Sequence, residues 1–376
     1  MKIRMVTLLM AISLLLGGCG WLDGSYVSVT PHQEQAAAVR TESLSVSNYE
    51  DLLDTMESIV SKGTESSVIN VVNYDKDSLE MHVSNAVQRI QKVYPVGAYA
   101  VDRIEYEIGT NSGKTAIALK ITYRHGRNEI RNIQKAKDID TARKFVGQAL
   151  ESYDTMLVME LKEYEELDYT QIVQDYAMMH PQNVMEIPQI TWQVYGIGSS
   201  RVVEMTFFYQ TSRDALRTMQ TQVQPVFDSA VLYVSGEGGQ NQKYAQLYAF
   251  LMERFEYNQE TSITPAYSLL RHGVGDSRAF AVVYAAMCRD AGLESMIVTG
   301  TRMGEPWNWN IIRTENGYFH VDLLTCEEAG AFRYLPDSEM DGYVWDYSAY
   351  PVCTAEEEVE GNRQEEKILS EEEIDA

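Results

Sequence analysis

The alternation of apolar and polar positions divides residues 48–209 into helices and strands that follow one another in a repeated order. Ile117, Leu119 and Ile121 alternate with polar or small residues, which predicts a strand with one face on helices and the other towards solvent. Two successive segments read helix, strand, helix and two-stranded hairpin. The predicted helices are 48–62, 76–93, 139–152 and 168–179, and the predicted strands are 67–73, 101–109, 115–124, 155–162, 188–195 and 201–209.

An internal repeat accompanies this order. Residues 104–134 align without gaps to 190–220, an offset of 86 residues that pairs Ile104 with Ile190 and Tyr123 with Tyr209. The same offset lays 69–72 over 155–158. We therefore predict two tandem α+β modules, a design that outside a membrane more often serves scaffolding or binding than catalysis.

Each copy of the repeat carries a tyrosine and two arginines at the same spacing: Tyr123, Arg127 and Arg131, and Tyr209, Arg213 and Arg217. Arginines four residues apart share a helix face. Two interpretations are open: a ligand site present twice, or a strand-end tyrosine and a solvated basic face kept after duplication. We adopt the second.

From residue 223 the pattern predicts a third α+β region. Phe280, Val283, Tyr284 and Met287 recur at helical spacing, and Gly292 supplies a C-cap. The other predicted elements are a strand at 230–234, a helix whose face carries Tyr244, Leu247, Leu251 and Phe255, a strand at 295–299, and a hairpin of 309–313 with 318–323.

Charge and cysteine usage narrow the possible functions. The net charge of -24 argues against a nucleic-acid partner, which requires clustered Lys and Arg. No metal-ligand spacing occurs among the scattered histidines, so we predict neither a metal nor a cofactor. Residues 355–376 carry ten acidic and two basic side chains, which predicts a disordered tail.

The N-terminus has the pattern of an export signal. Lys2 and Arg4 precede an apolar run, 5–16, that is too short for a transmembrane helix. The Leu-Gly-Gly-Cys sequence that ends at Cys19 resembles a bacterial lipobox, in which the cysteine is acylated. The resemblance implies a lipid anchor at the extracytoplasmic face of the cell membrane. The alternative is an ordinary signal peptide with a chance cysteine.

Three cysteines remain after the signal. Outside the cytoplasm a pair of them is open to oxidation. Cys326 and Cys353 are the preferred pair because Cys288 lies inside the pattern of a helix, although spacing alone does not fix the connectivity.

The stretch 266–300, AYSLLRHGVGDSRAFAVVYAAMCRDAGLESMIVTG, resembles the transglutaminase-like, papain-related core. That family places a nucleophilic cysteine at a helix start, a histidine two residues before a Trp-Asn pair, and an aspartate on the next strand. The equivalent positions here are Ser277, Trp307 and Asp322. The segment 340–353, MDGYVWDYSAYPVC, also resembles bacterial members, so the match covers roughly a third of the chain.

Two of these three positions depart from the family. A serine hydroxyl is a poor nucleophile without a base, and the indole of Trp307 donates a hydrogen bond but accepts no proton. In a serine protease the loss of either group costs about 10⁶ in turnover. We therefore assign no catalytic residue and predict a binding groove lined by Asp276, Ser277, Trp307 and Trp309. Aromatic surface of this kind suits peptides, glycans and cell-wall strands. The alternative is that Trp307 fills the space of the imidazole as core.

The domain would be catalytic only with a different choice of nucleophile or base. The nucleophile would be Cys288, or Ser277 would pair with His320 or His272, or the register would shift so that Asn308 or Glu305 takes the base position. We predict instead a membrane-anchored lipoprotein that binds or scaffolds at the cell surface, with a peptide or wall component as ligand. The rivals are an active hydrolase or acyltransferase that uses Ser277, and a purely structural spacer.

The predicted organisation follows from these elements and from the resemblance. It is α+β throughout, with two tandem helix-strand-helix-hairpin repeats followed by a transglutaminase-like (papain-like) domain. The predicted segments are a signal peptide (1–18), a tether (19–45), the two modules (46–135 and 136–222), the transglutaminase-like domain (223–353) and the acidic tail (354–376).

Overall fold

Three four-stranded sheets with their helices follow one another along the chain. The computed structural model describes residues 44–234, 238–258 and 265–354. The strand orders are β1-β2-β4-β3, β5-β6-β8-β7 and β13-β12-β11-β14, with bounds given below. This arrangement confirms the predicted α+β class. The predicted signal peptide, Cys19, nearly all of the tether and the acidic tail after Thr354 lie outside these ranges.

The first sheet is built by a hairpin and the strand before it. Its strands are β1 (Ser45–Val46), β2 (Ser66–Val71), β3 (Val101–Asn111) and β4 (Lys114–Tyr123), and its helices are Tyr49–Ser61, Lys76–Lys92, Pro95–Ala100 and Arg127–Arg131. Ile117, Leu119 and Ile121 are buried, as their alternation predicts. The helix Pro95–Ala100 was missed, because almost all of its residues are buried and no polar face marks it.

The second sheet has the same order of elements except that it lacks a counterpart of the helix Pro95–Ala100. Its strands are β5 (Gln134–Ala136), β6 (Met156–Leu161), β7 (Gln189–Tyr195) and β8 (Arg201–Phe208), and its helices are Ile139–Ser152, Tyr169–Met179 and Arg213–Tyr233. Ile104 pairs with Ile121 in the first hairpin and Ile190 with Phe207 in the second, which is the predicted offset of 86. The duplication itself stays a prediction.

The strand before each hairpin, β2 in the first sheet and β6 in the second, does not follow the offset of 86. Ser67 pairs with Leu119, whereas Leu157 pairs with Met205. The prediction that laid 69–72 over 155–158 was therefore wrong by four residues. The reason is that the first region has a longer connection between this strand and its hairpin, the part of the chain that holds the extra helix Pro95–Ala100.

That extra helix joins the first region to the second sheet. Tyr99 meets Tyr195 edge-to-face with ring centroids 5.2 Å apart, and the N–H of Ile197 donates to the carbonyl of Val93. The described residues from Val46 onwards belong to one compact unit. In these ranges no helix combines the length and apolar character needed to cross a membrane.

The helix Arg213–Tyr233 corrects two predictions. The predicted strand at 230–234 is wrong, because the chain stays helical to Tyr233. The predicted boundary between residues 222 and 223 falls inside this helix. Leu216, Val223 and Phe227 lie on one buried face that Ala230 continues. A short apolar run fits either a buried strand or the end of such a face, and periodicity alone does not separate the two.

The third sheet carries the region of family resemblance. Its strands are β11 (Ser295–Arg302), β12 (Glu305–Thr314), β13 (Gly317–Val321) and β14 (Tyr343–Trp345), and a parallel pair, β9 (Glu256–Tyr257) and β10 (Val274–Gly275), precedes it. The helices are Gln240–Met252, Pro265–Tyr267 continuing as the π-helix Ser268–His272, Ser277–Asp290 and Leu323–Ala329, with single 3₁₀ turns at Asp337–Glu339 and Tyr347–Ala349.

The helix Ser277–Asp290, hereafter the site helix, packs on one face of this sheet. The side-chain amide of Asn310 on β12 donates to the carbonyl of Ala281 at 2.9 Å. On the opposite face Met340, Trp345 and Cys353 form a buried cluster with β12. The chain from 335 to 353, hereafter the closing segment, thus covers the side of the sheet that the site helix leaves open.

Candidate functional site

Ser277 starts the site helix and is closed in by strand β12. The carboxylate of Asp276 caps the helix by accepting from the N–H of Ala279 at 2.8 Å. The hydroxyl of Ser277 accepts from the backbone N–H of Asn308 at 3.3 Å, and only 7% of the residue is exposed. Both groups predicted to line a groove are therefore engaged within the protein, and the hydroxyl has little access to solvent.

Trp307 occupies β12 beside this serine and points at Asp322. Its Nε1 donates to Oδ2 of Asp322 at 2.7 Å. The structure thus brings together the three family-equivalent positions, Ser277, Trp307 and Asp322. The alternative register is not observed for Asn308, because its side-chain amide donates to Thr299 at 2.9 Å instead.

The carboxylate of Asp322 is saturated with hydrogen bonds. Oδ2 accepts from Trp307 and, at 2.6 Å, from the hydroxyl of Tyr343. Oδ1 accepts from the N–H groups of Leu324 and Thr325 in the first turn of the helix Leu323–Ala329. Burial and the nearby Asp322 charge raise the pKa of Tyr343, so its proton stays on the hydroxyl. Asp322 is therefore a buried hub that caps a helix.

The outer side of Trp307 is covered by an aromatic ring and a cation. Tyr257 lies 5.6 Å away between ring centroids, and the guanidinium of Arg302 lies 5.3 Å from the indole centroid. Arg302 also pairs with Glu328 at 2.9 Å. The sequence did not single out Tyr257, Arg302 or Tyr343. Only Tyr343 carried a signal, because it lies in the segment that resembles the end of bacterial members.

Trp309 does not line a groove, so that prediction was wrong. The residue is 1% exposed, and its Nε1 donates to Nδ1 of His320 at 2.9 Å. It packs edge-on against Tyr343 and Trp345 under the closing segment. Residues two apart on a strand share a face, and here that face is covered at Trp309 and partly open at Trp307.

His320 is a buried, neutral imidazole. Because an indole N–H only donates, Nδ1 of His320 carries no proton, and Nε2–H donates to Asp337 at 2.8 Å. Burial lowers the pKa of His320, and the Asp337 carboxylate opposes that shift. Across the described ranges no hydrogen bond joins Ser277 to a histidine. The alternative that pairs Ser277 with His320 or His272 is therefore not observed, and His272 meets Tyr267 edge-to-face.

The three described cysteines are free thiols, so the predicted disulfide between Cys326 and Cys353 is absent. The sulfur of Cys326 accepts from the N–H of Arg333 at 3.3 Å. Burial, with a contribution from Asp337, raises the pKa of Cys353 to about 12. Cys288 is fully buried within the site helix, and burial raises its pKa as well, which opposes a role as nucleophile.

Among the described residues, long-range contacts bring together one group of possible metal ligands that spacing in the sequence did not reveal. The ligand atoms of His320, Asp337 and Cys353 lie within 4.8 Å of one another. The group does not fit a metal, because a metal on Nε2 would move the imidazole proton to Nδ1, against the N–H of Trp309. Its observed bonds hold the closing segment to the sheet.

The first repeated arginine has different partners in the two copies. Nε of Arg127 donates to the carbonyl of Gly63 at 3.1 Å. Its counterpart Arg213 pairs instead with the carboxylate of Asp154 at 3.0 Å. The two copies thus make different local contacts, and the choice between the two interpretations stays a prediction.

A family model described as the transglutaminase-like superfamily matches residues 230–323. The chain therefore carries a transglutaminase-like domain, and the matched stretch contains Ser277, Trp307 and Asp322. Comparison with curated proteins gives no match.

Several solved structures resemble part of the chain at low identity. A crystal structure of a TGase has 8% identity and a TM-score of 0.26, covering 51% of this chain and 59% of its own. A putative cysteine protease from Cytophaga hutchinsonii has 12% identity and a TM-score of 0.26, and the match covers 44% of this chain and 70% of the protease chain. The periplasmic domain of TgpA from Pseudomonas aeruginosa has 16% identity and a TM-score of 0.22, and the match covers 36% of this chain and 57% of the TgpA chain. At these values the similarities support no statement about activity.

Proposed function

We propose that the transglutaminase-like domain of this protein binds a ligand and does not catalyse a reaction. The observation that carries the proposal is the 2.7 Å bond from Nε1 of Trp307 to Asp322. A family histidine would donate to this aspartate through one nitrogen and accept a proton on the other. An indole keeps the first role and has no second nitrogen for the other role.

The serine side of the site supports the same conclusion. The hydroxyl of Ser277 accepts a hydrogen bond from Asn308, and no described histidine bonds to it to remove its proton. Asp322 in turn has its oxygens filled by four donors. The nucleophile, the base and the orienting carboxylate of a working triad are thus each replaced or fully engaged.

The ligand we propose is a peptide or a cell-wall component at the surface of the bacterium. Around the half-buried Trp307, the partly exposed ring of Tyr257 and the charge of Arg302 form the accessible part of the site. Amphipathic aromatic rings suit the flat faces of sugars and peptide side chains. The lipid on Cys19 would hold the protein on the extracytoplasmic face of the cell membrane.

A fluorophosphonate probe, which forms a covalent bond with activated serines, tests the proposal. We expect the full chain and the Ser277→Ala variant to show the same background labelling, with trypsin as the positive control. Labelling that disappears in the Ser277→Ala variant would show an activated serine and end the non-catalytic assignment in favour of the hydrolase or acyltransferase.

The anchor has a separate test. Expression of the full chain in a bacterium fed an alkyne-bearing fatty acid is expected to give a labelled membrane protein, and Cys19→Ser is expected to remove the label. A Cys19→Ser variant that keeps the label would contradict lipidation at this residue.

A further inference from the structure

A second open groove lies at the far end of the site helix from Ser277. Its volume is about 680 Å³, and its apolar lining includes Met178, Met179, Leu293, Met296, Ile297 and Tyr350. Arg289 near the end of the helix also lines it. Twelve residues separate Ser277 from Arg289, which at 1.5 Å per residue places the two sites roughly 18 Å apart.

The register of the sheet shows which backbone groups face this groove. The N–H of Arg313 donates to the carbonyl of Glu294 at 3.2 Å, so these two residues form a hydrogen-bonded antiparallel pair. Such pairs alternate along a ladder. Met296 therefore directs its N–H and C=O towards β12, whereas Ser295 and Ile297 direct theirs to the other side of β11.

On that other side β14 covers only part of β11. Its pairing is limited to Gly300–Arg302, and the N–H of Thr299 is taken by the hydroxyl of Tyr350 at 3.3 Å. In the described ranges no strand pairs with Ile297 on this side. The wall of the groove is thus an unpaired backbone edge, in line with β14.

We propose that this groove binds an extended peptide segment, which adds as a strand to β11 next to β14. A peptide residue opposite Ile297 would exchange two backbone hydrogen bonds with it, as in other cases of strand addition. The free part of β11, 295–298, has room for about four residues at roughly 3.3 Å each. The site is independent of Ser277 and does not rest on the proposed loss of catalysis.

The lining indicates apolar side chains on the peptide. Met178 and Met179, at the end of the helix Tyr169–Met179, line the groove together with residues of β11, and methionine adapts its shape to different apolar partners. Two of the charges at the rim are already paired within the protein: Glu294 with Arg313 at 3.2 Å and Arg289 with Asp290 at 3.6 Å. They therefore offer little attraction to a charged ligand.

Amide hydrogen exchange of the free full chain tests the unpaired edge. The Ile297 amide is expected to exchange at least about 100-fold faster than the amides of Met296 and Val298, which bond to β12. Equal protection at all three positions would mean that another part of the chain already covers the edge, and the proposal would be overturned.

Selection from a phage-displayed library of random linear dodecapeptides tests the binding. Selected peptides, resynthesised with a fluorophore, are expected to bind with anisotropy changes and to slow exchange at Ile297. Met179→Asp, a change at an exposed groove residue, is expected to weaken binding at least about tenfold. The matched control Met303→Asp alters a methionine that is 78% exposed in the turn after β11, outside the groove, and is expected to leave binding unchanged.

Peptides with N-methylated backbones distinguish strand addition from binding through apolar side chains alone. Methylation of alternate backbone nitrogens of the peptide is expected to weaken binding at least about tenfold in one of the two alternations only. Equal loss in both alternations, equal loss in both methionine variants, or failure to select any binder would each overturn the proposal. A fluorophosphonate adduct on Ser277 would overturn the non-catalytic assignment and leave this groove unaffected.

Discussion

Two tryptophans of strand β12 make the same kind of bond with different consequences. Trp307 and Trp309 each donate an indole N–H to a side chain of the following strand or the residue after it. The acceptors are Asp322 at 2.7 Å and His320 at 2.9 Å. At Trp309 the bond is one contact in a sealed core, whereas at Trp307 it occupies the position where the family resemblance expects a base.

The difference lies in what the indole replaces. At the outer site, that of Trp307, an imidazole would donate to Asp322 and keep a lone pair for a neighbouring nucleophile. Trp307 retains the donor half of that role, so the fold of the site survives while the acceptor half is lost. At the inner site, that of Trp309, the neutral imidazole of His320 is the acceptor, and its own Nε2–H donates a hydrogen bond to Asp337. Under the proposed function, the bond from Trp307 to Asp322 preserves the architecture of the family site without its chemistry.

The largest effect is expected from Asp322→Asn. The carboxylate accepts four hydrogen bonds while 3% exposed, and an amide offers one acceptor oxygen and two donors instead. We expect a loss of about 3 kcal/mol in the free energy of unfolding, because buried donors are left without an acceptor. Urea unfolding followed by circular dichroism measures this.

The inner site supplies the control for that experiment. Asp337→Asn leaves one acceptor oxygen for two donors, Nε2–H of His320 and the N–H of Cys353, at a more exposed carboxylate, and is expected to cost about half as much. A loss at Asp322 smaller than the loss at Asp337 would show that the outer bond is not a structural hub.

The double variant Ser277→Cys with Trp307→His tests whether only side-chain identity separates this site from a working one. The introduced imidazole is expected to bond to Asp322 and stabilise a thiolate at the helix start. A thiol with a pKa of about 8.5 is about 3% ionised at pH 7, so full ionisation raises its alkylation rate roughly thirtyfold.

Iodoacetamide kinetics measure this rate, with Ser277→Cys alone and Ser277→Cys with Trp307→Phe as controls. If the double variant reacts no faster than these, the contact of residue 307 with Asp322 does not reproduce the family geometry.

Local patterns predicted most of the helices and strands, and the family resemblance grouped Trp307 with Asp322. The alternation in β4 and the spacing along the site helix each arise from residues close in sequence. The Trp-Asn pair at 309–310 also indicated which residue of its strand corresponds to the family histidine. These features depend on contacts that a single element and its neighbour determine.

Depth within the fold was not predictable in the same way. Trp307 and Trp309 lie two residues apart on one strand and share a face. Only the closing segment, which comes later in the chain, buries Trp309. The bonds from His320 to Asp337 likewise join residues with no local relation. The strand predicted at 230–234 failed for a related reason, because its helical face is recognisable only together with Leu216 and Val223.

The protonation state of His320 gives the next effect in size. Burial lowers its pKa below the usual value near 6.5, so the unfolded chain binds this proton more readily than the folded chain. The associated stability is complete above about pH 6.5 and is lost as pH falls from there through the folded-state pKa. The expected slope is at most about 1.4 kcal/mol per pH unit.

Urea unfolding between pH 7 and pH 5 is expected to show a smaller slope for His320→Gln than for the parent chain. His180 has a pKa lowered first by burial and then by Arg289, so His180→Gln measures its separate share. An unchanged slope in His320→Gln would contradict a neutral buried ring.

The smallest effect is expected from Trp307→Phe, about 1 kcal/mol in the free energy of unfolding. Three donors remain on Asp322 after the change, and the residue is only half-buried, so water reaches the vacated position. Trp309→Phe removes the same N–H in the sealed core, leaves Nδ1 of His320 without a donor, and is expected to cost two to three times as much. Urea unfolding of the two variants compares them directly. Equal losses would mean that burial does not distinguish the two indoles, and that Trp307 is as much a core residue as Trp309.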